Sequence, residues 1–102
     1  MDYEICYLPL ARIDIREIFT YITQKLEAPR TAKKLRDEID KAINDLKKAP
    51  YLCAVYRSNK IFEFEYRKKQ VKNYSVFYVV KENTIEIHRV IYSARDIDSL
   101  LK

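Results

Sequence analysis

The sequence predicts an α+β domain of order β-α-α-β-β-β: an antiparallel-rich sheet packed on one face by an N-terminal helical hairpin, with a short C-terminal helix. Three observations predict it. Four short stretches, 3–8, 60–68, 74–80 and 84–92, are rich in aromatic and β-branched residues, and most alternate apolar with polar positions. Between the first and second, two stretches instead repeat apolar residues every three or four positions. The strands are thus segregated from the helices, an order that gathers helices on one side of a sheet.

Each element has its own signal. In the first strand Tyr3, Ile5 and Tyr7 alternate with Glu4 and Cys6, and Pro9 stops it. Ala11, Ile15, Ile18, Ile22 and Leu26 then make one stripe of a first helix, with Arg12, Asp14, Arg16, Glu17 and Lys25 on the other side. Pro29 suits the first turn of a second helix, whose apolar face is Ala32, Leu35, Ile39, Ala42, Ile43 and Leu46. Pro50 ends that helix, and the short connection makes the two an antiparallel hairpin. Residues 51–58 read as a loop.

Lys60 to Lys68 alternates Phe62, Phe64 and Tyr66 against Glu63, Glu65 and Arg67, and is read as the second strand. Lys69 to Asn73 is then its turn. The central hairpin follows, Tyr74 to Val80 and Thr84 to Tyr92, with Asn83 expected in the left-handed conformation. Asp96, or Ser93 with Asp96 at the third position, should cap a last helix that packs through Ile97, Leu100 and Leu101. On this reading Phe62, Phe64, Tyr66, Tyr74, Val76, Tyr78, Ile85 and Ile87 face the helices. Glu63, Glu65, Arg67, Ser75, Phe77, Glu86 and His88 lie on an open face.

Composition bounds the function. A chain of 102 residues, 48% hydrophobic and 34% charged, makes one folded domain, residues 1–102. No apolar run reaches the roughly 20 residues that span a bilayer, and no signal peptide is recognisable, so the expected place is the cytoplasm without membrane contact. Glycine is absent, which removes phosphate loops, dinucleotide fingerprints and nucleophile elbows, and no cofactor is expected. Cys6 and Cys53 form no CxxC pair and read as small buried hydrophobes with free thiols; with a single histidine, no metal site is expected. Residues 1–50 hold ten Lys/Arg against nine Asp/Glu, and residues 51–102 hold ten against six. The basic second half points to an acidic partner, with a merely solvated face as the alternative.

Several stretches resemble the RelE/ParE superfamily, the toxins of bacterial type II toxin–antitoxin (addiction, or plasmid-stabilising) modules. They are Ile13-Asp14-Ile15 through Tyr21-Ile22, Leu46 to Pro50, Tyr66-Arg67, Tyr74 to Tyr78, Ile87 to Val90, and Ala94-Arg95-Asp96. The resemblance covers essentially the whole chain and implies the same βααβββ fold. It also implies a cognate antitoxin, acidic in its C-terminal segment, that holds the toxin inactive. The RelE-like branch cuts messenger RNA on the ribosome with basic residues of the open sheet face, whereas the ParE-like branch poisons DNA gyrase. Set against the nuclease pattern, strand-2 lysine positions fall on Glu63 and Glu65, the strand-3 arginine on Ser75, the basic end of strand 4 on Ser93, and the C-terminal tyrosine on Ser99. Carboxylates facing a phosphodiester repel it. The resemblance therefore favours gyrase inhibition, with a ribosome-dependent endoribonuclease, or a decayed toxin that only binds its antitoxin, as the alternatives.

Individual residues carry competing readings. His88 reads as an exposed structural histidine, with general-base chemistry as the alternative. Arg89 shares the parity of Ile87 and is expected at the core edge, paired with Asp14 or Glu17. Arg67 and Tyr92 are candidates for partner contact, and Arg95 either contacts a partner or belongs to the last cap. Lys68, Lys69 and Lys72 form a basic turn. A rearranged nuclease site would draw on His88, Arg67, Tyr92 and Arg95; a binding surface would use Arg67, Lys68, Lys69, Arg89, Tyr92 and Arg95.

Overall fold

The computed structural model describes residues 3–102. Two tight turns set the registers of its sheet. Strands β3 (Tyr74–Lys81) and β4 (Thr84–Tyr92) pair antiparallel, with Lys81 opposite Thr84. Strand β2 (Arg67–Val71) runs antiparallel to β3, with Val71 opposite Tyr74. Strand β1 (Glu4–Tyr7) lies parallel to β4 on its other side, so the order is β1-β4-β3-β2 and the sheet is mixed. Lacking glycine, the chain places Lys72 (φ 53°) and Glu82 (φ 48°) in the left-handed region at these turns, and Glu27 (φ 50°) at the helical corner. At the β3–β4 turn that position belongs to Glu82, not to Asn83 as expected.

Helix α1 (Pro9–Thr20) continues into a π-helical turn, Tyr21–Lys25, and helix α2 (Pro29–Asp45) folds back beside it, each opened by proline in its first turn. Ala11, Ile22, Ala32, Leu35, Ile39, Ile43 and Leu46 pack on Val71, Val76, Tyr78, Ile85, Ile87 and Val90. The stripe ends sooner than its spacing predicts. The Leu26 amide donates to the Tyr21 carbonyl five residues back, and this wider turn shifts the helical phase and leaves Leu26 exposed.

The second strand and the second face differ from expectation. The turn is only Lys72-Asn73, so pairing with β3 is taken by 67–71, and most of the expected 60–68 strand lies outside the ladder. Phe62, Phe64 and Tyr66 do not face the helices. They cover the opposite side of the sheet, with Tyr56, Phe77, Val79, Ile91 and Leu101. Ser75 and Phe77 are fully buried there, so the face expected to be open is closed. The C-terminal segment seals it. Tyr56 Oη donates to Asp98 Oδ1 (2.8 Å), Lys60 Nζ to the carbonyls of Asp98 and Leu101 (2.6 Å each), and the Glu63 amide to the Lys102 carbonyl (3.0 Å). Burial and the Asp98 bond push the Tyr56 hydroxyl up to about 12. Helix α3 (Ile97–Leu100) starts at Asp96, but neither expected side-chain cap forms: Ser93 is engaged with Ser75 and Gln70, and the Asp96 carboxylate makes no capping bond, while Ser99 Oγ donates to the Asp96 backbone carbonyl. Cys6, on the edge strand β1, is exposed, and Cys53 is half-buried, so neither is the buried hydrophobe expected.

Candidate functional site

β4 outlasts its neighbour. β1 pairs only with Thr84–Ile87, and the Leu8 amide donates to the Ile87 carbonyl (3.0 Å) before the chain turns into α1. From His88 onward that edge of β4 faces a helix instead of a strand. Asp14 of α1 takes the place of the missing strand: its Oδ2 accepts the Val90 amide (2.9 Å) and Arg89 Nε (2.7 Å), and its Oδ1 accepts Arg89 Nη2 (3.0 Å). Arg89 Nη1 donates to the Leu100 carbonyl (3.0 Å). A largely buried ion pair needs such additional bonds to offset desolvation. The bonds from Asp14 push the Arg89 pKa upward, against the opposing effect of burial.

Arg89 thus pairs with Asp14, though by another geometry than simple parity. Tyr78 pairs with Ile87 and Phe77 with Arg89, which leaves His88 as an extra residue in a β-bulge. The bulge lets His88 follow Glu86 on the second face while Arg89 reaches both α1 and the C-terminal segment.

Beyond the ion pair lies a groove of about 980 Å³ between the helical hairpin and the end of the sheet. Ile18, Tyr21, Ile22 and Leu26 form one wall; Tyr74, Val90 and Tyr92 lie across from them. Tyr92 is 45% exposed and rests edge-on against Tyr74, centroids 5.6 Å apart. The charges are mixed. Lys34, Lys72 and Arg95 stand with Glu17 and Glu38, and Lys72 Nζ meets Glu38 Oε2 at 3.6 Å. Of the predicted residues, Arg89, Tyr92 and Arg95 therefore come together here. Tyr21, Leu26 and Lys34 were not among the site candidates: Leu26 was read as the end of the α1 core stripe and Tyr21 only as part of the family resemblance. The available signal was Tyr21, an aromatic residue off the α1 stripe.

The remaining candidates lie elsewhere. His88 is 9% exposed, not exposed as expected. It packs on Phe64 and Tyr66, ring centroids 4.9 and 5.3 Å away, and its Nε2 lies 3.1 Å from Glu86 Oε1. Burial pushes the Glu86 pKa up, but the His88 bond and the Lys81 ammonium at 3.4 Å outweigh it and hold the carboxyl below its usual value. Arg67 lies on the helix side, opposite Tyr78, not on the second face. Its Nη1 donates to the carbonyls of Cys53 (2.7 Å) and Tyr51 (3.3 Å). Lys68 and Lys69 are half-buried strand residues of β2, not a turn. Ser75 and Ser93, at the two nuclease-type basic positions, share a hydrogen bond (2.7 Å), and Gln70 bonds both (3.1 and 2.7 Å). That closed network offers an anion no positive charge. Among the described residues no cluster suited to a metal ion occurs, and no helix is long and apolar enough to cross a membrane.

The model of the family described as ParE toxin of type II toxin–antitoxin system, parDE, matches residues 5–97. The chain belongs to the ParE toxin family. Among curated proteins no sequence matches this ParE-family toxin. Three similar solved structures share its fold. A chain of the chromosomal ParDE toxin–antitoxin system of Pseudomonas aeruginosa is 20% identical, with a TM-score of 0.72 over 88% of this chain and 95% of that one. A chain of the RelBE2 toxin–antitoxin complex of Mycobacterium tuberculosis is 18% identical, with a TM-score of 0.61 over 90% and 99%. A chain of the YoeB dimer of Staphylococcus aureus is 19% identical, with a TM-score of 0.61 over 90% and 98%. The ParE-family fold here thus lies in the range spanned by ParDE, RelBE and YoeB structures.

Proposed function

We propose that this ParE-family toxin arrests growth by a non-covalent contact with DNA gyrase, and that a cognate antitoxin silences it by laying a segment in the groove beside β4. The observation that carries the first part is the state of the positions where the nuclease branch keeps its basic residues. Ser75 and Ser93 are locked together with Gln70, Glu63 and Glu65 are acidic, and Arg67 is spent on two backbone carbonyls. Cleavage of a phosphodiester needs positive charge aimed at the developing anion. The face that would receive RNA is filled by Phe62, Phe64, Tyr66 and Leu101 of the chain itself.

The groove supports the second part. It joins an apolar wall to the last residues of β4, past the Val90 amide that Asp14 already holds, where among the described residues no strand pairs with that edge; these two features suit an amphipathic or extended peptide. In the ParDE and RelBE2 structures the related chains belong to toxin–antitoxin systems, which favours an antitoxin as occupant. Induced expression of the chain alone, with pulse labelling of DNA, RNA and protein synthesis, tests the target. DNA synthesis should stop first while translation continues, and a gyrase-resistant strain should keep growing. Translation stopping first, or arrest undiminished in that strain, overturns the gyrase reading.

A further inference from the structure

We propose that the tip formed by the end of α2, loop 49–53 and the start of β2 is the surface through which the toxin engages its target, and that the target presents an apolar pocket ringed by acidic side chains. The proposal rests on the reading of the chain as a toxin with a protein target, and it places that contact away from the groove. Leu52 is 84% exposed and Tyr51 57% exposed, yet the backbone that carries them is tied into the core. Tyr78 is completely buried, and its hydroxyl donates to the Pro50 carbonyl at 2.7 Å. Arg67, the cross-strand neighbour of Tyr78, holds the carbonyls of Tyr51 and Cys53, and its guanidinium lies 4.9 Å from the centre of the Tyr51 ring. The Leu52 amide closes a turn onto the Ala49 carbonyl (3.2 Å).

Here two side chains of the sheet fix the carbonyls of Pro50, Tyr51 and Cys53 on either side of one exposed leucine, so little backbone entropy remains to be lost when it enters a pocket. An exposed anchor held rigid in this way matches the centre of a binding surface, where a few buried residues carry most of the affinity. The surrounding charge names the partner. Lys47 and Lys48 precede the loop directly in sequence, Lys48 exposed, and the Lys68 amide ties the loop's far end to β2 through the Ala54 carbonyl. The nearby acids Asp45 and Glu65 already face Lys41 (3.7 Å) and Arg67 (3.8 Å). A basic rim about an apolar anchor is complementary to an acidic rim about an apolar pocket.

The test compares Leu52→Asp, the pair Lys47→Glu/Lys48→Glu, and Ile61→Asp as an equally exposed apolar control beside Lys60, which is tied to the C-terminal segment. Each is assayed for growth arrest on induction, for inhibition of supercoiling by a purified bacterial DNA gyrase, and for its thermal midpoint. Leu52→Asp should keep the wild-type midpoint, lose growth arrest and weaken supercoiling inhibition about 30-fold, the loss typical of a central anchor; the lysine pair should keep the midpoint and weaken both arrest and inhibition by about fivefold, as rim charges do, while Ile61→Asp stays toxic. Undiminished arrest by folded Leu52→Asp overturns the proposal; if that variant fails to fold, undiminished arrest by the lysine pair does so. A wild-type chain that arrests growth but leaves gyrase untouched removes gyrase as the target; the surface then stands if Leu52→Asp abolishes the arrest and falls if it does not. A wild-type chain without any arrest has no target for the surface to meet and overturns it as well.

Discussion

At the scale of single residues, Asp14 does the most for the least exposure. One carboxylate replaces a strand partner for Val90, neutralises Arg89, and through Arg89 reaches the Leu100 carbonyl. The α1 helix, the β4 edge and the C-terminal segment all meet at this pair. Removing one partner of a largely buried pair strands the other, which is far more costly than removing both. Asp14→Ala should therefore lower unfolding stability by about 3 kcal/mol, read as a reduced urea midpoint at unchanged slope. Asp14→Leu combined with Arg89→Met should recover more than half of that loss. Equal losses for the single and double variants would show that the bonds to Val90 and Leu100, not the stranded charge, dominate.

At the scale of elements, legibility followed the energetics. The stripes of α1 and α2 and the alternation of Ile85 and Ile87 were readable because each buries one face of a regular element. The 60–68 stretch misled because its alternation is genuine: Phe62, Phe64 and Tyr66 do bury one side, but of a covering segment whose backbone is not laddered to β3. Its true neighbour, RKKQV, carries few β-formers and is a strand because the two-residue turn at Lys72-Asn73 places it opposite Tyr74. Arg89, Tyr92 and Arg95 were found as candidates, and the end of β1 at Pro9 was readable, while the groove that unites them was not, since it depends on the π-turn displacing Leu26. The turns give a prediction of their own. Lys72 and Glu82 hold φ near +50°, where a Cβ is strained and glycine is not. Glu82→Gly, at an exposed turn, should raise stability by about 0.5–1 kcal/mol by relieving that strain in spite of the added freedom of the unfolded chain. A lower thermal midpoint for the variant would show that unfolded-state entropy outweighs the strain.

At the scale of the molecule, two candidate surfaces differ in their electrostatics. The groove balances Lys34, Lys72 and Arg95 with Glu17 and Glu38, whereas the tip carries Lys47 and Lys48, and Asp45 and Glu65 already face Lys41 and Arg67. The excess positive charge of the second half is thus not what the groove presents, and antitoxin capture there must draw mainly on apolar contact and strand-edge hydrogen bonds. Salt separates the two modes, because the screening length shrinks from about 14 Å near 0.05 M to about 4 Å near 0.5 M and exposed charges lose their reach first. Over that range inhibition of gyrase supercoiling should weaken about tenfold, while affinity for the antitoxin's C-terminal segment changes by less than about threefold. Supercoiling is read against a salt-matched gyrase control, and antitoxin affinity by titration calorimetry. The opposite ranking would mean that the basic residues serve the antitoxin, and that the mixed charges of the groove are not what the antitoxin reads.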